Sequence, residues 1–144
     1  MSSLSEQLTG PTFDALAIDL AEFASTTVNN QSGITGMALK GGLAAATKAR
    51  PNIVEQGMSK VLPDVIEILS PYWDNKPADS SFGAHLDANK EQVADELMTA
   101  ADRLSKSVSN PTLLKVYGSV RGKATKVIAQ NLVGLGDIVE KHAA

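Results

Sequence analysis

The basic block at residues 103–126 is the group of side chains whose chemistry is most suggestive. It contains six bases and no acid, and Arg121, Lys123 and Lys126 lie close together within it. Phosphate binding needs several cations that converge on one surface, so these three side chains are candidates for a weak phosphate or nucleic-acid site. In the alternative arrangement, a helical hairpin brings them beside the acids at 91–96, and the charges cancel locally. We expect the second arrangement and do not expect nucleic acid as a partner.

The aromatic residues suggest a second kind of site, an apolar pocket between helices. Tyr72, Trp73 and Tyr117 are three of the few aromatic residues in the chain. Each combines a large apolar ring with a polar tip, which suits a pocket that holds a small apolar or acyl ligand. Such a pocket requires segment 72–82 to fold over the C-terminal helices. Packing of the same rings in the core is the competing interpretation.

Residues for catalysis or metal binding are few. The chain has two histidines, His85 and His142, and no cysteine. A metal site draws two or three histidine or carboxylate ligands together, but the spacing of His85 to Glu91 is poor for one helical face and His142 lies near the end of the sequence. No serine, lysine or histidine motif of a familiar nucleophilic or metal-dependent enzyme occurs. We therefore predict no catalytic residue, no metal and no cofactor, and we favour a non-enzymatic role.

Asn131 is a polar residue within an otherwise apolar stripe. It lies three residues after Ile128 and four before Leu135, which is the spacing of one helix face. We predict that it is a buried polar group that needs a hydrogen-bond partner. A buried asparagine often fixes the register of packed helices.

Length and composition favour one soluble domain. The 144 residues are 43% hydrophobic and 20% charged, with a net charge of −3. We expect a single domain over 1–144, with an N-terminal segment at 1–10 and a connecting loop at 74–81. The absence of cysteine, signal peptide and apolar span predicts a cytoplasmic protein that does not insert into membranes.

The spacing of apolar residues predicts helices throughout, and no segment alternates as a β-strand does. The stretch 32–49 is rich in Gly and Ala. Because its side chains are small, neighbouring helices can approach its backbone closely on more than one side, so we predict that it is the central helix. Asn110 and Pro111 supply a cap and a first-turn proline, which predicts a hairpin of two long helices. The expected fold class is all-α, a single-domain bundle of five or six helices with a bend near 134–136.

Three blocks of sequence carry a resemblance to a family. They are SGITGMALKGGLAAATKARPNIV at 32–54, LPDVIEILSPYWD at 62–74 and NPTLLKVYGSVRGKATKVIAQNL at 110–132. Their order resembles a small family of uncharacterised actinobacterial helical proteins, and the resemblance covers nearly the whole chain. It implies a cytoplasmic all-helical domain of unknown function and supplies no functional residues.

Three hypotheses for the function follow from these patterns. The first is a non-enzymatic helical interaction module whose partner is another protein or a second copy of the chain, because apolar helix faces are extensive and reactive groups are scattered. The second is a binder of a small apolar or acyl ligand between helices. The third is weak phosphate or nucleic-acid binding through the basic block.

Overall fold

The computed structural model describes residues 4–143, so residues 1–3 of the predicted N-terminal segment and residue 144 lie outside the described residues. Residues 4–143 contain helices and no strand, and the prediction of an all-α fold is confirmed. The helices are α1 Leu4–Gln7, α2 Pro11–Asn29, α3 Gly33–Ala49, α4 Ile53–Asp74, α5 Phe82–Ala88, α6 Lys90–Ser105, α7 Pro111–Gln130 and α8 Leu132–Ala143. The predicted count of five or six helices is wrong, since eight occur in this part of the chain.

At two points an asparagine separates two helices, although the helical spacing of apolar residues continues past it. Asn89 lies between α5 and α6, and its side-chain nitrogen donates to the His85 carbonyl at 3.0 Å. Asn131 lies between α7 and α8 and donates in the same way to the Val127 carbonyl at 2.7 Å. Each amide satisfies a carbonyl oxygen that the end of the helix leaves without a backbone partner. The chain therefore breaks at 131, before the predicted bend near 134–136.

The central helix is α4, and it continues through Pro63 and Pro71. It contacts α1, α2, α3, α5 and α6, and its buried face carries Leu62, Ile66 and Leu69. These large side chains bury far more apolar area than glycine or alanine can. The helix with the largest apolar side chains therefore occupies the centre.

The prediction that the Gly- and Ala-rich helix is central is wrong. Helix α3 packs mainly along α7 and has two buried residues, Gly36 and Leu39. A Cβ built on Gly41 meets no atom within 4 Å, whereas one on Gly42 would lie 2.8 Å from a methyl group of Val120. The small residues allow close approach on the α7 side alone, and the opposite side of α3 is exposed.

Helices α3 and α7 contribute little to the buried core. Its largest fully buried side chains come from the other helices and from the α1–α2 turn: Phe82, Leu4, Leu8, Leu16, Leu20, Leu62, Leu69, Leu86, Leu132, Val93 and Val139. Helix α7 joins this core through the predicted hairpin with α6. Asn110 begins α7 by accepting hydrogen bonds from the backbone nitrogens of Thr112 and Leu113, at 2.9 and 3.3 Å. The α3–α7 pair thus forms a second layer over the core.

Helices α5 and α8 cross with their backbones in contact. A Cβ on Gly136 would lie 2.6 Å from the backbone nitrogen of Gly83, and one on Gly83 would lie 2.7 Å from the Asp137 carboxylate. The backbone N–H of Phe82, at the start of α5, donates to the Glu140 carboxylate at 3.3 Å. Gly83 and Gly136, the second of which lies in the bend predicted at 134–136, are the contact points of two helices.

The far end of α8 is held against α2. His142 Nε2 lies 2.6 Å from Asp19 Oδ2, and Lys141 Nζ lies 3.3 Å from the same oxygen. Hydrogen bonds from these two side chains, His142 above all, lower the pKa of Asp19. Further along, the ring of Phe23 packs where a Cβ of Gly134 would be. Helices α2 and α8 therefore run antiparallel.

Candidate functional site

An apolar cavity of about 310 Å³, partly open to solvent, lies between the core and the α3–α7 pair. Helix α2 lines one wall with Leu20, Phe23 and Val28, and α4 and α6 line others. The α3–α7 pair covers it mainly through α7, since Leu39 is the residue that α3 contributes.

The lining of this cavity is almost wholly hydrocarbon. Sixteen residues line it, of which fourteen are apolar and none is charged. Alanines from three helices, Ala24, Ala101 and Ala124, stand where larger side chains would close the space. Ligand pockets in proteins are typically of this size and larger, mostly apolar, with a few polar groups that set orientation.

The two polar residues of the lining are Thr27 and Asn131. Asn131 is partly buried, and the hydrogen bond to Val127 that ends α7 also fixes its amide beside the cavity. The prediction that Asn131 is buried is wrong, since its side chain is only partly buried, but its amide does have a hydrogen-bond partner. Sequence reasoning missed Thr27. The available signal was its position four residues after Phe23, which places a hydroxyl on the apolar stripe of α2.

The aromatic residues predicted to form a pocket lie elsewhere. The hydroxyl of Tyr72 donates to Glu96 and that of Tyr117 donates to Asp102, so both tyrosines face α6. Burial, and then the neighbouring carboxylate, raises the pKa of each tyrosine to about 12. Trp73 packs edge-on against Phe82 with ring centroids 5.0 Å apart. None of the three predicted residues lines the apolar cavity.

The basic block is partly neutralised by the hairpin that contains it. Arg121 donates two hydrogen bonds to Asp102, at 2.8 and 2.6 Å. This ion pair, followed by the Tyr117 hydroxyl, lowers the pKa of Asp102 to about 2. Lys126 is exposed and Lys123 partly buried. Arg121 is thus committed to a carboxylate, although not to the acids at 91–96, and phosphate binding through the three bases stays a prediction.

Several titratable side chains meet in one depression of the part of the chain that the structure describes. A shallow depression of about 190 Å³ between α4 and α6 carries Asp64, Glu67, Glu96 and Arg103. No group of three His, Cys, Asp or Glu residues in 4–143 has the geometry to hold a metal ion. None of the eight helices there is both long and apolar enough to cross a bilayer.

Comparison with known proteins assigns the chain to a family. The model of a family of unknown function, DUF6918, matches residues 4–143. The chain belongs to this family. Membership confirms the resemblance to an uncharacterised family. No curated protein and no solved structure matches the chain.

The exposed side of α3 is a second feature of this DUF6918 chain. Ile34 and Met37 lie one helical turn apart, and their exposed fractions are 81% and 77%. No other large hydrophobic residue among 4–143 is as exposed, Ile18 being next at 57%. Single exposed apolar residues are ordinary on protein surfaces, but a pair on one helix face can contribute to an interface.

Proposed function

We propose that this protein binds a small apolar ligand in the cavity between its core and the α3–α7 pair. The observation that carries the proposal is the cavity itself, about 310 Å³ with a lining that contains no charged residue. It was the second of the three hypotheses drawn from the sequence. The site differs from the aromatic pocket expected from the sequence, because none of Tyr72, Trp73 and Tyr117 lines it.

Energetics favour an occupant in such a space. The apolar atoms that line the cavity lack packing partners on the side that faces it. A ligand that fills the space restores those contacts and also removes its own apolar surface from water. A dry cavity of about 150 Å³ accepts a benzene molecule. A space about twice that size suits a ring with a short alkyl chain.

Butylbenzene has this size and tests the proposal by thermal denaturation. The melting temperature of the wild-type protein should rise with butylbenzene concentration, because a ligand that binds only the folded state stabilises it by about 2.7 kcal/mol at 100 times Kd. The Ala101→Leu/Ala124→Leu variant adds an isopropyl group at each of two positions in the lining and so fills the cavity. Its melting temperature should not respond to butylbenzene.

The matched control places the same replacements on the surface. Ala15 in α2 and Ala44 in α3 are both exposed. The Ala15→Leu/Ala44→Leu variant should respond to butylbenzene as the wild type does. The proposal would be contradicted if the melting temperature of the wild type did not change with butylbenzene concentration, or if that of the Ala101→Leu/Ala124→Leu variant rose equally.

A second candidate function is transient self-association through the N-terminal half of α3. It is supported by the exposure of Ile34 and Met37. The bases of α3, Lys40 and Lys48, lie further along the helix. A two-fold contact centred on the apolar pair therefore keeps like charges apart. Stable interfaces bury about 800 Å² per partner, and two side chains supply only part of that, so we expect weak association.

Sedimentation velocity over a range of protein concentrations tests this second candidate. The average mass of the wild type should increase with concentration, while that of an Ile34→Ser/Met37→Ser variant should not. Ile18→Ser removes an apolar side chain that is also exposed, on α2, and should sediment as the wild type does. A constant monomer mass for the wild type at the highest soluble concentration would rule the idea out.

A further inference from the structure

The two polar side chains of the cavity lie at the same end of it. Along the antiparallel pair α2 and α8, Asp19 meets His142 and Phe23 meets Gly134. Because α2 and α8 run antiparallel and Phe23 packs at Gly134, we infer that the next turn of α2, which carries Thr27, lies toward the start of α8, where Asn131 ends α7. Both residues line the cavity. The cavity therefore has one polar end, and hydrocarbon lines the rest.

Both polar groups retain hydrogen-bonding capacity. The amide nitrogen of Asn131 donates one of its two hydrogens to the Val127 carbonyl, which leaves the second hydrogen and the amide oxygen for another partner. Gln31 donates to the backbone carbonyl of Thr27, while the Thr27 hydroxyl has no hydrogen-bond partner within residues 4–143. This end of the cavity can thus donate to a ligand oxygen and accept from a ligand hydroxyl.

The absence of charged side chains from the lining restricts the ligand further. No Lys, Arg, His, Asp or Glu side chain lines the cavity. A carboxylate or an ammonium group therefore has no counter-ion at this site. Its binding is unfavourable, because a charge that loses water without gaining a partner is costly. A hydroxyl, ketone, ester or amide group can be satisfied there by Thr27 and Asn131 alone.

We propose that the ligand class is an uncharged amphiphile, with a single hydrocarbon body in the cavity and a neutral oxygen-bearing head group at the Thr27–Asn131 end. This inference rests on the proposed function and makes it more specific. The hydrocarbon supplies most of the affinity, and the polar end sets the orientation and selects against charged head groups.

Three matched probes test the ligand class by calorimetric titration: butylbenzene, 4-phenylbutan-1-ol and 4-phenylbutyrate. The alcohol should bind the wild type about fivefold more tightly than butylbenzene, which is the effect of about one net hydrogen bond. The carboxylate should bind at least about tenfold more weakly than the alcohol at neutral pH, because its charge is unpaired.

Two variants connect this preference to the named residues. Thr27→Val and Asn131→Leu keep side chains of similar size and remove the polar groups. Combined, they should reduce alcohol affinity to that of butylbenzene and leave butylbenzene affinity unchanged. Asn131→Leu also removes the contact that ends α7, so Thr27→Val alone serves as the milder version and should lower alcohol affinity about twofold or more.

The outcomes separate this inference from the proposed function. Equal affinity for alcohol and hydrocarbon, or tightest binding of the carboxylate, overturns the ligand class while hydrocarbon binding upholds the cavity as a binding site. Unchanged alcohol affinity in both variants also overturns it, since the named residues would then have no part in selection. Failure of all three probes to bind the wild type overturns the proposed function and this inference together.

Discussion

A Gly136→Ala variant should lose about 3 kcal/mol of unfolding free energy, although alanine is the better helix former. The added methyl group would meet the backbone of Gly83, 2.6 Å from its nitrogen, and no side-chain rotation can relieve that overlap. Overpacking costs typically about 1–3 kcal/mol, and a contact between two backbones belongs at the upper end. Helices α5 and α8 would have to separate and would expose part of the core.

Denaturant unfolding, followed by helical circular dichroism, measures this effect. Gly57→Ala provides the matched control, because Gly57 also lies inside a helix and a Cβ there meets no atom within 4 Å. That variant should gain up to about 1 kcal/mol from helix propensity. If Gly136→Ala were as stable as Gly57→Ala, the two helices would not be in contact as the structure has them.

Replacing Phe82 by alanine should cost about 4 kcal/mol. Phe82 is fully buried at the start of α5 and belongs to the same core cluster as Leu69, Leu86 and Val139. Removing a buried phenylalanine leaves a large cavity, and such replacements cost about 3–5 kcal/mol. Trp73 packs edge-on against this ring at 5.0 Å and is the single tryptophan of the chain. Its emission should shift to longer wavelength as water reaches it.

The control for Phe82→Ala removes a hydrophobic side chain from the surface. Leu114 in α7 is 39% exposed, and Leu114→Ala should change the unfolding free energy by about 0.5 kcal/mol or less. Both free energies come from denaturant titration monitored by Trp73 emission. A loss for Phe82→Ala no larger than that for Leu114→Ala would show that the start of α5 is not part of the core.

Local signals in the sequence predicted the helices and one of their caps. The helical spacing of apolar residues predicted an all-α fold. Asn110 and Pro111 predicted the start of α7, because a cap residue and a first-turn proline affect backbone groups within the first turn of the helix. Asn131 was singled out for the same kind of reason, its position on an apolar face. These signals involve neighbours along the chain and need no knowledge of the tertiary structure.

Contacts between distant helices could not be predicted from such signals. Gly42, Gly83 and Gly136 each allow a close approach, but a glycine does not specify which helix approaches it. The sequence therefore predicted a central position for α3, where the structure has a helix at the edge. The sequence likewise predicted a pocket lined by the tyrosines. Nothing near Tyr72 or Tyr117 in the sequence indicated that carboxylates of α6 would accept hydrogen bonds from them.

The crossing of α5 and α8 also has a consequence for the order of folding. It joins Gly83 and Gly136 by closing a loop of on the order of fifty residues, whereas α6 and α7 meet across a short connection. Loop closure costs entropy before any contact offsets it, so we expect the hairpin to precede the crossing. Contacts made after the transition state mainly set the unfolding rate. The two glycines would then govern how long the native state persists rather than how quickly it is reached.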